Sequence, residues 1–343
     1  MRLALDAMGG DHAPEANLEG AALFARENPD VELVLVGDEA RVRAPRLTNV
    51  RVRHATQVVA MDEHATAAIR KKKDSSLRVC FELLKAGEAD AMVSAGNSGA
   101  VMAGALLVLG RIPGVERPAF AALFPALGRR GRSLLLDAGA NVDCKPTHLA
   151  QFAVMGDAYV RKLLGVARPR VGLLSNGEED TKGTSLTREA LALLRKSNLE
   201  FRGYVEGKDI FSGEVEVVVT DGFTGNVVLK ASEGTAMAMA SLVRSAVEKS
   251  GLSERLGALL LKPTLAGLRK MVDYAEYGGA PLLGVGGVAV VAHGRSNARA
   301  IQKALEAAKQ TVEAELQADL CAGIERARAW LPKRAEARAA EEA

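Results

Sequence analysis

RLALDAMGGDHAPEANLEGAALFARENPDVELVLVG, residues Arg2 to Gly37, carries one complete strand–helix–strand unit. Arg2 to Ala7 is an apolar run that ends on Asp6, and Gly9-Gly10 break it. Pro14 then opens an Ala- and Leu-rich stretch to about Glu27, because its fixed φ suits a first helical turn and its missing N–H costs nothing there. Val31 to Val36 is a second apolar run, stopped by Gly37-Asp38. Two buried strands joined by a helix run parallel.

The same rhythm continues outward. Strands are expected at residues 50–53, 91–94, 133–136, 170–174, 201–205 and 215–219, with two short strand-like runs inside 281–292. Helices are expected at about 74–85, 97–109, 146–164, 184–195, 226–249 and 296–328. Such alternation predicts an α/β fold with a mainly parallel sheet covered on both faces. No linker rich in Pro, Gly or Ser divides the chain, so residues 1–332 read as one large α/β domain. A helical protrusion is expected at about 226–280, and 333–343 reads as a disordered charged tail.

The chain has 343 residues, enough for two domains or one large one. Hydrophobic residues make up 48% and charged residues 25%, which excludes disorder for most of the length. Lys plus Arg is 45 against 42 for Asp plus Glu, and aromatics are 4%, so neither wholesale nucleic-acid binding nor a stacking platform is indicated. The three cysteines are scattered without a CxxC, which fits a reduced cytoplasmic protein rather than a disulfide framework or a zinc ribbon. The first residues do not read as a signal peptide, and no apolar run reaches the ~18 residues of a membrane span.

Ligands of open α/β sheets bind at the carboxyl ends of strands. Six such ends here share one chemistry: DAMGGDHAP (Asp6 to Pro14), SAGNSGA (Ser94 to Ala100), DAGANVD (Asp137 to Asp143), LSNGEEDTKGT (Leu174 to Thr184), TDGFTGN (Thr220 to Asn226) and AHGRSN (Ala292 to Asn297). Glycine admits close backbone approach, and a helix N-terminus presents free N–H groups to an anion. Any one loop is ordinarily a satisfied turn and cap. Six at one sheet edge predict a polar pocket for a small anion, phosphate first. A helix end contributes only ~0.3–1 kcal/mol when exposed and ~2 when partly buried, so a cation must assist. Lys182, in the richest loop, is the first choice; a solvated loop lysine is the plainer reading. His12 and His293 stand in two other loops, where a histidine is as often a simple hydrogen-bonding group.

Several familiar motifs fail. The first strand lacks GxGxxG and puts Asp11 where a dinucleotide needs bare backbone. The GxGxxA at Gly284, Gly286 and Ala289 lies between two apolar runs and reads as a β-turn. Gly96-Asn97-Ser98-Gly99 is not a nucleophile elbow. No HExxH occurs, and neither a metal nor a cofactor is expected.

At these loops the sequence resembles the bacterial phosphate acyltransferases of phospholipid synthesis, the PlsX family. The resemblance rests on DAMGGDHAP, KKDSS (Lys72 to Ser76), SAGNSGA, DAGAN, SNGEEDTKG, TDGFTGNVVLKASEG (Thr220 to Gly234), YGGAPLLGV (Tyr277 to Val285) and HGRSN, spread over residues 2 to about 300. It implies a Rossmann-like three-layer α/β/α sandwich, related to isocitrate and isopropylmalate dehydrogenases, in a homodimer. It implies transfer of an acyl group from acyl carrier protein to inorganic phosphate, the acyl phosphate feeding a membrane glycerol-3-phosphate acyltransferase. The residues expected to carry this are Lys182, His12 and Asn226 for catalysis. Asp6, Gly9, Gly10, Asp11, Asn97, Ser98, Gly99, Asp137, Asn141, Asp221, Thr224, Gly225, His293 and Asn297 are expected to line the substrate and phosphate site.

Two surface features complete the reading. Arg70-Lys71-Lys72-Lys73 is either a solvated face or, at Lys72 and Lys73, a dock for the acidic carrier. Leu252, Leu256, Leu259 and Leu260 recur at helical spacing, either packed in a dimer interface or resting on anionic lipid as a peripheral tip. Two other functions remain open: an isopropylmalate-dehydrogenase-like NAD-dependent oxidoreductase, and a non-catalytic peripheral membrane scaffold.

Overall fold

The structure is a computed structural model that describes residues 1–43, 46–127, 131–251, 253–254, 257–261 and 278–332. Leu252, Leu256 and the 333–343 tail lie outside the described residues, as does most of the expected protrusion beyond 261.

The chain folds as β1 (Arg2–Asp6), α1 (Glu15–Glu27), β2 (Glu32–Gly37), β3 (Val50–His54), α2 (Ala65–Lys71), α3 (Ser76–Lys85), β4 (Ala91–Ser94) and α4 (Ser98–Gly104). It continues through β5 (Ala119–Pro125), β6 (Arg132–Leu136), α5 (Pro146–Leu164), β7 (Arg170–Leu174), α6 (Ser185–Leu194), β8 (Glu200–Val205), α7 (Asp209–Ser212) and β9 (Val217–Val219). The last elements are α8 (Gly222–Lys249), β10 (Ala280–Leu283), β11 (Val288–Val291), α9 (Ala298–Glu313) and α10 (Leu316–Ala327).

All the described strands join one sheet in the order β3-β2-β1-β4-β11-β10-β5-β6-β9-β7-β8. Helices cover both faces, giving the three-layer α/β sandwich the alternation predicts. One apolar layer, including Phe81, Met92, Phe120 and Leu135, runs under α2, α3, α4 and the start of α8. The opposite face is covered by α1 and α9 over one half, around Phe24 and Leu305, and by α5, α6 and α10 over the other, around Phe152 and Leu194.

The direction of the strands corrects the expectation of a single loop-bearing edge. β3, β2, β1, β4 and β11 run parallel to one another. β10 is antiparallel to both β11 and β5, and β5 is antiparallel to β6. β6, β9, β7 and β8 therefore run opposite to the first group, and their carboxyl ends face the other way. Helix-to-strand alternation is blind to this reversal, because it comes from β5, an apolar run (AFAALFP) that the alternation leaves out.

β10 also staggers the halves. Its first two residues pair with β11, Ala280 opposite Val291, and its last two with β5, Leu282 opposite Phe120. Ala121 in turn pairs with Leu136 at the end of β6. The two sets of strand ends thus leave the sheet from one shared waist, in opposite directions.

Smaller departures have local causes. The expected helix 296–328 is two helices, because Glu315 takes a left-handed conformation (φ 51°) between α9 and α10. α8 begins at Gly222 rather than 226, because the Asp221 side chain caps it by accepting from Thr224 N at 2.8 Å. The GxGxxA at Gly284 is a turn between β10 and β11, as its flanking apolar runs imply.

Candidate active site

At the first set of strand ends, Asp6 is buried beneath the loops after β1 and β4. Its carboxylate accepts from Ser94 Oγ at 2.7 Å and from Met8 N at 3.3 Å, and burial raises its pKa above the ordinary carboxylate value. Asn17 Nδ2 holds the turn by donating to the carbonyls of Asp6, Ala7 and Gly9. A Cβ on Gly9 would lie 2.5 Å from Asp6 Oδ2 and 2.9 Å from Gly96 N, so this glycine exists for close approach of two loops. Asp11 N donates to Gly294 O at 2.8 Å, tying the loop after β1 to the loop after β11.

Asn97 is fully engaged. Its Oδ1 caps α4 through Ala100 N, and its Nδ2 donates to Met61 O and Glu63 O. Asn297 caps α9 through Ala300 N at 2.9 Å. His12 and Ser98 are exposed beside these caps, and Gly10 and Gly99 complete the loops. His293 Nδ1 accepts from Arg295 N at 3.1 Å.

At the second set of ends, Asp137 organises everything. Its carboxylate accepts from the N–H groups of Phe120, Gly139, Ala140 and Asn141 and from Asn141 Nδ2, all within 3.1 Å. Burial raises its pKa above the ordinary carboxylate value, and those donors offset only part of the rise. Asn141 Nδ2 also donates to Pro118 O at 2.7 Å, and Gly222 N donates to Asn141 O at 2.7 Å. Thr224 donates to the Asp221 carboxylate through both N and Oγ1. Gly225 packs against the end of β6 so closely that a Cβ there would lie 1.9 Å from Asp137 O. Asn226 is exposed, its Cβ over the Gly139 turn.

β7 adjoins β9, so the Lys182 loop emerges next to the start of α8. Gly183 N donates to Asn176 Oδ1 at 2.9 Å, and Arg188 Nη1 donates to Gly183 O at 2.7 Å. Behind Gly183 the Tyr204 hydroxyl is buried with no hydrogen-bond partner. Lys182 itself is exposed, its stem against Gly177.

The expected site residues therefore fall into two clusters. Asp6, Gly9, Gly10, Asp11, His12, Asn97, Ser98, Gly99, His293 and Asn297 share one; Asp137, Asn141, Lys182, Asp221, Thr224, Gly225 and Asn226 share the other. Seven strand positions separate β1 from β7, about 34 Å along the sheet. His12 and Lys182 are not brought together by the sheet.

One helix joins the clusters. α8 starts on Asp137 and runs back across the waist, so that Lys230 Nζ lies 3.0 Å from His293 Nε2. Asn226, Lys230 and Glu233 fall at i, i+4 and i+7, one face of the helix, and Lys230 also pairs with Glu233 at 3.1 Å. Strand-end reasoning misses Lys230 because it lies two turns inside a helix; the i, i+4 spacing from Asn226 is the signal that finds it.

The surface features also change. Lys72 Nζ is tied to the Glu63 carboxylate and donates to Val58 O at 2.7 Å, so it braces the loop before α2 rather than standing free. Arg70, Lys71 and Lys73 remain exposed. Leu259 and Leu260 are 62% and 75% exposed, and α8 exposes Met237, Met239 and Leu242 beyond the waist. Among the described residues no helix is long and apolar enough to cross a membrane.

Comparison with known proteins places this architecture. The family model described as "Fatty acid synthesis protein" matches residues 1–318. A protein of Myxococcus xanthus (strain DK1622) named phosphate acyltransferase is 66% identical, covering 100% of this chain and 99% of its own. One of the same name from Geobacter sulfurreducens is 52% identical, covering 91% of each. Among solved structures, a phosphotransacetylase from Streptococcus pyogenes superposes with a TM-score of 0.59 at 17% identity, over 92% of this chain and 94% of that one. At that identity the likeness speaks for the fold alone. With the family model spanning nearly the whole described fold and close relatives matching end to end, the chain belongs to the phosphate acyltransferase family of fatty acid synthesis proteins, the PlsX family.

Proposed function

We propose that the protein transfers a fatty acyl group from acyl carrier protein to inorganic phosphate, releasing acyl phosphate for phospholipid synthesis. The end-to-end match to relatives named phosphate acyltransferase carries this reading. A phosphate oxygen attacks the thioester carbonyl, the C–S bond breaks, and the thiolate takes up the proton that phosphate loses. Dianionic phosphate is already nucleophilic, and a thiol of pKa ~8.5 leaves readily, so neither step needs a strong general base or acid. What the protein supplies is proximity, worth ~7–11 kcal/mol, and oxyanion donors at ~3–4 kcal/mol each.

Lys182 is the cation proposed to neutralise phosphate, and the exposed amide of Asn226 is the donor proposed for the thioester oxyanion. The unpartnered Tyr204 hydroxyl behind Gly183 supports a ligand or water at this loop. Lys182→Met is expected to lower acyl phosphate production about 100-fold at limiting phosphate, read by hydroxylamine trapping. Unchanged production would remove Lys182 from the site. Wild-type protein that releases no thiol from acyl carrier protein in the presence of phosphate would remove the reaction.

Surface features support the proposed partners. Arg70, Lys71 and Lys73 offer an exposed basic patch to the acidic carrier. The bare apolar residues of α8 suit a second copy of the chain in a homodimer. Leu259 and Leu260 suit peripheral contact with the membrane where a glycerol-3-phosphate acyltransferase consumes the product. A buried leucine is worth ~1.5–3 kcal/mol, so the double variant Leu259→Glu, Leu260→Glu is expected to lose most flotation with anionic vesicles. Flotation equal to wild type would refute the lipid contact.

A further inference from the structure

Arg117 stands just before β5, among the second set of strand ends. β5 is antiparallel to β6, with Ala121 opposite Leu136, so β5 begins where β6 ends. Arg117 therefore shares a rim with Asp137 after β6, Asp221 after β9 and the Lys182 loop after β7.

The backbone on either side of Arg117 is pinned. Glu116 N donates to Gln151 Oε1 at 2.9 Å, and the Glu116 carboxylate faces His148 Nε2 at 3.2 Å and accepts from Thr147 Oγ1 at 3.3 Å. Pro118 O accepts from Asn141 Nδ2 at 2.7 Å, and Phe120 N donates to Asp137 Oδ1 at 3.0 Å. These bonds fix where the Arg117 side chain leaves the chain. Its charge acts on the Cys144 thiol. Cys144 Sγ lies 3.6 Å from Asn141 O, the acceptor of Gly222 N, so Arg117 stands near the first residue of α8.

Arg117 is exposed, and among the described residues its side chain makes no hydrogen bond or ion pair. The acids fixed around it are committed elsewhere. Asp137 accepts from four backbone N–H groups and Asn141 Nδ2, Asp221 accepts from Thr224, and Glu116 faces His148. Burial, followed by the charge of Asp137, pushes the Cys144 thiol up to about 12, so it is neutral near pH 7 and offers no anion. Asp143, exposed beside Cys144, makes no ion pair with Arg117. Lys182 also makes no ion pair among the described residues. β5 and β7 are three strand positions apart, ~14 Å, and α8 rises from β9 between them. Two cations that the protein leaves unneutralised thus flank the start of α8, where Asn226 is exposed. A phosphate group suits them both. The planar fork of arginine can meet two phosphate oxygens at once, and it stays charged at any working pH.

We propose that Arg117 binds a phosphate group of a substrate at this rim, opposite Lys182 across the start of α8. This deepens the acyltransfer reading and rests on it for the source of the group, which is either the orthophosphate acceptor or the phosphodiester of the donor's prosthetic arm.

The test compares Arg117→Met and Arg117→Lys with wild type, in full-length protein. Arg117→Met is expected to raise KM by about 10-fold or more for one of the two substrates. Arg117→Lys returns the charge without the fork and is expected to recover part of the loss. A rise for phosphate, with loss of the thermal shift that inorganic phosphate gives the wild type, identifies orthophosphate. A rise for acyl carrier protein alone, with the holo-carrier's thermal shift lost, identifies the prosthetic arm. Both KM values and both thermal shifts at the wild-type level in Arg117→Met, whatever kcat does, would overturn the proposal. The thermal shifts need no turnover, so wild-type protein that binds phosphate through Arg117 yet forms no acyl phosphate would refute the reaction and leave the phosphate contact standing.

Discussion

Asp137→Ala is expected to cost about 4 kcal/mol of folding free energy or more, the range reserved for broken buried networks. The carboxylate is fully buried and receives four backbone N–H groups besides the Asn141 amide. Alanine leaves those donors without an acceptor, at ~1–3 kcal/mol each where water cannot enter. Asp137→Asn separates charge from geometry. It keeps an acceptor for Phe120, Gly139 and Ala140, but its amide N–H would face the two donors of Asn141, so roughly half the loss is expected. Urea unfolding of the two variants at neutral pH reads the difference. An alanine variant within ~1 kcal/mol of wild type would mean that water or a neighbour replaces the carboxylate.

Gly225→Ala is the second large effect, and its sign runs against local preference. Within a helix, alanine is favoured over glycine by ~1 kcal/mol. At this position the new Cβ would stand 1.9 Å from Asp137 O; the Cβ is fixed by its own backbone and the oxygen is itself backbone, so neither can swing aside. The first turn of α8 must lift off β6, at an expected cost of about 3 kcal/mol. Asn226 and Lys230 move with it, so turnover should fall by about 100-fold as well. Gly234→Ala on the same helix is the control: nothing lies within 4 Å of its Cβ, and the propensity gain should appear undiminished. Equal effects at the two sites would refute the close-packed seat of α8.

The layered α/β fold is legible in the sequence because it follows from local rules. Apolar runs such as Leu3 to Leu5 and Leu33 to Val36 are buried on both sides, and Ser75, Asn97, Thr184, Asp221 and Asn297 cap helices through their own side chains. Strand order and direction are not local. β11 pairs with β4 from almost 200 residues away, and nothing in VAVV states which way its neighbours run. The site divides in the same way. Asp6, Asp137 and the glycines around them are recognisable as strand-end chemistry, but which ends meet depends on β5 and β10. Lys72 reads as part of a basic run, yet it is spent on Glu63, a pairing across nine residues that composition cannot reveal. Lys230 is hidden for the opposite reason: helical spacing would place it beside Asn226, but only the fold puts it against His293.

The waist also restricts how this molecule could be recombined. A chimaera that grafts residues 131–251 from a cousin onto this scaffold imports Lys230 with its helix and leaves behind the donor's loop that bears position 293. The graft inherits the side-chain caps and the internal strand pairings of its own half, yet its residue 230 must meet a residue 293 drawn from the other parent. Shuffled libraries drawn from such cousins should therefore carry the 131–251 block and the 288–297 stretch as one linked cassette.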